Sequence, residues 1–239
     1  MPATPLASAV RRATRRSVLG VTVCCFVLGA SAGLAGADKY KFEVLKESPP
    51  KSVAKNVQAV VQETGLRVLD GKGKPSVDVW LRKSLTTQKD NGAPGVDYGT
   101  VPEGSVLGLI RVHKKGADFR GHKFRAGTYL LRSALQPEDG EHQGTAANRD
   151  FLLLCPSKGE IKLDPMPTKE VVKLSVEVSG AKHPSILYLV KLFSEPEGLP
   201  KLIHDDDYEY WILDCQIPDA KKGNDPVRLS IVLVGKAEE

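Results

Sequence analysis

Two apolar runs, TYLLRSAL and DFLLLC, lie between Gly127 and Cys155 on either side of a polar stretch, QPEDGEHQGTAANR. Apolar runs of six to eight residues bounded by Gly and Pro form buried strands, because a strand apolar on both sides must have both faces covered. A chain holding such a pair is committed to a sheet with a packed interior. The intervening loop carries Asp139, Glu141, His142, Arg149 and Asp150. Loops positioned by rigid strands are where binding groups concentrate, so function is sought there first.

The same pattern recurs along the chain. YKFEVL at 40–45, SVLGLIRVH at 105–113, SILYLVKLF at 185–193, YEYWILDCQI at 208–217 and VRLSIVLV at 227–234 all have strand character. Leu66 to Leu69 and Ser76 to Arg82 flank DGKGKP, which predicts a hairpin. Within VDVWLR, Val77, Val79 and Leu81 share one face and Trp80 the other, as a core or sheet-edge residue. Helical signals are fewer. Val53, Val57, Val60 and Val61 recur on one face, with Ser48 as a cap, proline in the first turn and Gly65 past the end. EVVKLSVEVS at 170–179 is open: Val172, Leu174, Val176 and Val178 alternate as in a strand, while Thr168 and Gly180 suit the ends of a short helix. Leu85 to Gly104 is polar and turn-rich, a loop long enough to cover a site. Eight or more short strands with one or two short helices predict a mainly β protein, an antiparallel two-sheet sandwich of which the jelly roll is one form.

Charge and cysteine place the chain in the cell. The formal charge of +5 over 239 residues is concentrated at the N-terminus, where Arg11, Arg12, Arg15 and Arg16 precede an uncharged run from Ser17 to Ala37. Ala35-Gly36-Ala37 has the small-x-small form of a signal-peptidase site. Removal of residues 1–37 takes four of the 34 basic residues and no acid, leaving 30 against 29. The basicity therefore serves export, and the predicted organisation is a cleavable signal over 1–37 and one domain over 38–239. Membrane association is expected only through an uncleaved signal, and the compartment is the bacterial periplasm or cell envelope. Nucleic acid is excluded by the near-neutral domain, by location, and by the lack of an aromatic series beside the cationic run from His113 to Arg125. Within the domain only Cys155 and Cys215 remain. An even count in an oxidising compartment permits one disulfide between them, with buried free thiols the alternative.

Thr14-Arg15-Arg16-Ser17-Val18-Leu19-Gly20 resembles the twin-arginine export motif, departing from it at Val18 and Gly20; ordinary secretion is the other route. The segment around Gln136, Pro137, Asp139, Gly140, His142, Gly144, Arg149, Asp150 and the FLLL that follows resembles exported bacterial proteins grouped as domains of unknown function. That resemblance implies a β-sandwich and a helix over 170–179, and brings no activity with it.

Catalytic signatures are absent from the sequence. There is no G-x-S-x-G elbow, no H-E-x-x-H, no C-x-x-C in the domain and no Gly-rich phosphate loop. Asp139, Glu141 and His142, with His183 before Pro184, are the candidate metal ligands, since carboxylate and imidazole suit a divalent ion. Arg149 and Asp150 are expected to anchor the loop. Asp205-Asp206-Asp207 lacks the spaced ligand pattern of a calcium loop and is expected to be a solvated hairpin tip. The expected role is thus non-enzymatic: binding of an envelope protein or glycan, with no cofactor specified. A metal-dependent activity centred on Asp139, Glu141 and His142 is the alternative.

Overall fold

The computed structural model describes residues 39–90, 92–118, 120–136, 148–221 and 223–235. The protein is mainly β, with two helices and a large curled antiparallel sheet. Seven strands form that sheet. They are β1 (Tyr40–Leu45), β2 (Gly65–Asp70), β3 (Pro75–Leu81), β4 (Val106–Val112), β7 (Gly127–Leu135), β8 (Asp150–Pro156) and β9 (Ile186–Tyr188), in the order β1-β2-β3-β4-β7-β8-β9. A second sheet holds β10 (Lys201–Asp205), β11 (Tyr210–Ile217) and β12 (Val227–Val234), and a small hairpin pairs β5 (Gly116–Ala117) with β6 (Lys123–Phe124).

Alternation divides each strand between two cores. Val77, Val79 and Leu81 of β3, Ile110 of β4, Leu131 of β7, and Leu152 and Leu154 of β8 pack with Leu213, Cys215 and Ile217 of β11 and Leu229 and Ile231 of β12. The opposite face carries Trp80, Leu109, Leu130, Leu153 and Cys155, covered by Val57 and Val61 from α1 (Lys55–Val60) and its exit and by Val171 from α2 (Thr168–Ser179). Coverage on both sides explains why β8 is apolar from Phe151 to Cys155, each residue contributing about 1.5–3 kcal/mol by leaving water. Leu189 bridges to Ile231 of β12, and the Tyr40 ring meets Trp211 edge-on at 5.2 Å, so both ends of the long sheet curl toward the short one.

The helices differ from the sequence reading. The valine-rich segment is helical only over Lys55–Val60, with Ala54 rather than Ser48 as its first cap, because Val53 N–H closes a turn onto Pro50 and Ala54 N–H donates to Ser157 outside the helix. Val53, Val57 and Val61 are nevertheless all buried. The open segment resolves as the longer helix, α2, which ends at Gly180 with φ 68°, as its glycine stop requires. Its buried residues are Thr168, Val171, Ser175 and Ser179, a helical stripe that the alternating Val172, Leu174, Val176 and Val178 obscure. Small side chains on that stripe let α2 lie close to the sheet: Ser175 Oγ accepts from Ser185 N–H at 3.0 Å, and the Cys155 thiol donates to Val171 O at 3.8 Å. Strand β10, paired with β11 from Lys201 to Asp205, was also not expected. No helix among the described residues is long and apolar enough to cross a membrane.

Candidate functional site

The polar segment Asn148 to Asp150, just before β8, turns toward the 85–104 loop and fastens it. Asp150 Oδ2 accepts the Asp97 N–H at 2.6 Å, Asn148 Nδ2 donates to Asp97 Oδ2 at 3.2 Å, and Arg149 Nη1 donates to Pro94 O at 2.9 Å. Arg149 also holds Gln136 O through Nε and Nη2, at 3.2 and 3.1 Å. Arg149 and Asp150, expected to anchor the 136–149 loop, thus fasten the 85–104 segment, and only Arg149 also reaches Gln136 at the start of the polar stretch. Burial raises the Asp150 carboxyl above the usual carboxylate range, against the opposing hydrogen bonds from the Asp97 and Tyr98 amides.

The other end of the loop is stitched to the turn before β12. Leu85 N–H donates to Pro218 O and Leu85 O accepts from Ala220 N–H, both at 2.9 Å, and Thr87 Oγ1 donates to Asp219 Oδ2. Tyr98 OH donates to Val190 O at 2.7 Å. Between the loop, the chain after β9 and the approach to β12 lies a cleft of about 520 Å³. Its walls carry Gln88, Asp97, Thr100, Lys191, Asn224 and Asp225, among others, with no histidine or cysteine.

Beneath the cleft a charge network is fixed by the sheet. Asp214, in the middle of β11, is fully buried; it accepts from Arg228 Nε at 2.9 Å, Arg228 Nη2 at 2.7 Å and Ser230 Oγ at 3.1 Å, with Lys201 Nζ 3.9 Å away. The hydrogen bond to Asp214 raises the Arg228 pKa further. Arg228 then reaches the carbonyl of Ser194, holding the chain that follows β9. Asp219 is held down to about 2, first by the Lys221 amide and then by Thr87 and Asn224, and so stays ionised. Desolvation pushes the Tyr98 hydroxyl well up, so it stays neutral. Asp219 is thus a fixed acceptor and Tyr98 a neutral hydroxyl in the cleft wall. That arrangement suits recognition by hydrogen bonding more than proton transfer.

Asp139, Glu141 and His142 lie outside the described residues. His183 stacks on His122 at 5.1 Å between ring centroids. Among the described residues no three His, Cys, Asp or Glu side chains gather as a metal site. Of the two alternatives for the cysteines the structure has the free thiols: both are buried, Cys155 in the core under α2 and Cys215 in the core on the other face of the seven-stranded sheet. Burial pushes the Cys155 thiol up to about 12. The cationic run also finds acidic partners, His113 Nε2 on Asp78 at 2.6 Å, Lys114 on Asp70 at 2.7 Å and Arg120 on Asp118 at 3.4 Å. Asp205 caps the β10–β11 turn by accepting from the Asp207 and Tyr208 amides, as a solvated hairpin tip requires.

The sequence reading missed Asp214, Arg228 and Asp219. A signal for the first was present: in WILDCQI a single acid interrupts an apolar strand, and a charge in such a position must find a partner when buried.

No family model, curated protein or solved structure matches this chain. Fold and site define a mainly β protein whose long loop is pinned over a polar cleft.

Proposed function

We propose that this is an exported, non-enzymatic binding protein of the bacterial cell envelope, and that the cleft beneath the 85–104 loop takes a glycan. The single observation that carries the reading is the cleft itself, about 520 Å³ of space walled by amide, hydroxyl and carboxylate groups held in place by backbone hydrogen bonds. Sugars demand such an array of oriented donors and acceptors, together with an apolar surface for the ring face. Phe193 is the candidate for that surface: it does not line the cleft, but it is 89 % exposed and its ring centroid lies 5.9 Å from the Nζ of Lys191 in the cleft wall. In the finer reading of the architecture, the seven-stranded and three-stranded sheets are the two leaves of a sandwich, with α1 and α2 as a third layer on its outside. Export rests on the arginine-led, uncharged N-terminal segment and its Ala35-Gly36-Ala37 ending, with the twin-arginine route favoured by Arg15-Arg16.

Titration of the purified protein with envelope oligosaccharides tests the cleft. Saturable binding without release of new reducing ends is expected, and Phe193→Ala or Asp225→Ala should weaken it by about tenfold or more with unchanged melting. Sugar release would make the protein an enzyme, and unaltered binding by both variants would move the site elsewhere. N-terminal sequencing of the exported form should begin at Asp38; a start at Met1 would refute cleavage.

A further inference from the structure

Arg132 lies in the middle of β7 and is 1 % exposed, on the face covered by α2. Its guanidinium donates from Nη1 to Gly104 O at 2.5 Å and Asp164 O at 3.4 Å, and from Nη2 to Lys162 O. Gly104 must be glycine there, with φ 72° and a would-be Cβ 1.9 Å from Met166 O. No carboxylate among the described residues pairs with this cation, and its Nε is buried with no hydrogen-bond partner. Carbonyl dipoles satisfy two of the three nitrogens, and Asp164 acts on the charge through space without forming an ion pair with it, an arrangement that costs several kcal/mol in a protein interior.

Beside the guanidinium is a cavity of about 450 Å³, between the outer face of β7 and β8, the segment leading to α2, and α2 itself. Leu130, Cys155, Ile161, Met166 and Leu174 line it together with exposed charged residues, three lysines (Lys158, Lys162, Lys173) and three glutamates (Glu160, Glu170, Glu177), and it shares no residue with the polar cleft. The exposed lysines and glutamates of the lining balance in number, which leaves Arg132 as its one buried charge, and that cation beside Leu130, Ile161 and Leu174 suits a ligand with an apolar body and a single anionic head. A carboxylate fits best, because the planar guanidinium matches it in shape and charge.

We propose that the chamber between α2 and β7–β8 binds a monocarboxylate amphiphile of medium-chain fatty-acid type, with its carboxylate over Arg132 and its chain against Leu130, Ile161 and Leu174. The ligand supplies the missing counter-charge, and the chamber removes the chain from water. This site is independent of the glycan reading, since it rests on different residues and a different chemistry.

Calorimetric titration of the purified protein with dodecanoate, dodecanol and dodecyltrimethylammonium tests the proposal. Dodecanoate should bind saturably at one site, with the alcohol weaker by about tenfold or more and the cation weaker still. Leu174→Trp, which fills the chamber from the helix side, should lower dodecanoate affinity by about tenfold or more while the far-ultraviolet circular dichroism is kept. Arg132→Met should erase the preference for the acid over the alcohol. Should Arg132→Met fail to fold, the head-group series and Leu174→Trp decide alone. Absence of dodecanoate binding, equal affinity for acid and alcohol, or full binding by folded Leu174→Trp would each overturn the proposal.

Discussion

Asp214 and Arg132 are both mid-strand charges closed off from water, yet only Asp214 is paired with opposite charge. Asp214 is answered from its own sheet: Ser230 and Lys201 are its cross-strand partners on β12 and β10, and Arg228 approaches from one pair further along β12. Asp78 repeats the device on β3, with Arg67 of β2 and Arg111 of β4 directly opposite it. Arg132 has Val106 and Leu153 across from it, and donates its hydrogen bonds to carbonyls in connecting segments. Where the sheet supplies the counter-charge, the network is complete within the fold. Where loops supply only dipoles, a charge is left unpaired, and the unpaired charge borders the chamber.

The comparison is broken most directly by removing the charges one at a time. Asp214→Ala strands Arg228 and Lys201 beside a buried void and should cost about 3–5 kcal/mol, the range for losing one partner of a buried pair. The carbonyls of Leu192 and Ser194 would then hold Arg228 alone, so the cleft wall should loosen as well. Arg132→Met leaves three carbonyls without a donor but removes an unpaired cation, and the two effects oppose each other. A smaller loss of about 1–3 kcal/mol is expected. Urea denaturation midpoints of both variants, with unchanged slopes, check the order. A loss for Arg132→Met exceeding that for Asp214→Ala would mean that the carbonyl cradle compensates the guanidinium as fully as the sheet compensates Asp214.

How far each region is legible in sequence follows the same division. Strands such as DFLLLC and SIVLV declare themselves because they are apolar on both faces, and the 66–82 hairpin because its glycines sit between alternating runs. Helix α2 hides because its fully buried stripe is Val171, Ser175 and Ser179, small and partly polar residues, whereas Val172, Leu174 and Val178 are only partly buried at the edges of the cores and mimic strand alternation. Strand β10 hides because KLIHD offers only two adjacent apolar residues and is ordered by pairing with β11. The 85–104 segment was legible as a long loop; its fastening by Arg149 and Asp150 was not. Which groups lie beneath the loop was not legible either, since Asp97, Asp219 and Arg228 are brought together from segments far apart in the chain. A charge alone in an apolar strand, as in YLLRSAL, VDVWLR and WILDCQI, is the local sign that all three buried networks left.

The smallest expected effect separates compensated from uncompensated carboxylates by the sign of their pH dependence. For Asp78, desolvation acts upward, but hydrogen bonds from Arg67, His113 and Arg111 together outweigh it and hold its pKa below the usual value. Its stabilising contribution is therefore full above its unfolded pKa and lost as pH falls through the lower folded value. For Asp150, desolvation is the leading cause and prevails, with amide hydrogen bonds only partly opposing it, so its folded pKa is raised. The folded state then binds the proton more tightly than the unfolded state, and stability falls as pH rises from the unfolded value through the folded one. Relative to wild type, Asp78→Asn should lose its disadvantage as pH is lowered from 7 toward about 3, whereas Asp150→Asn should gain on wild type as pH is raised from about 3 to 7. Unfolding free energies of the three proteins across that range measure both slopes. Parallel slopes for the two variants would show that Asp150 is compensated after all, by a cation on the far side of the loop it anchors.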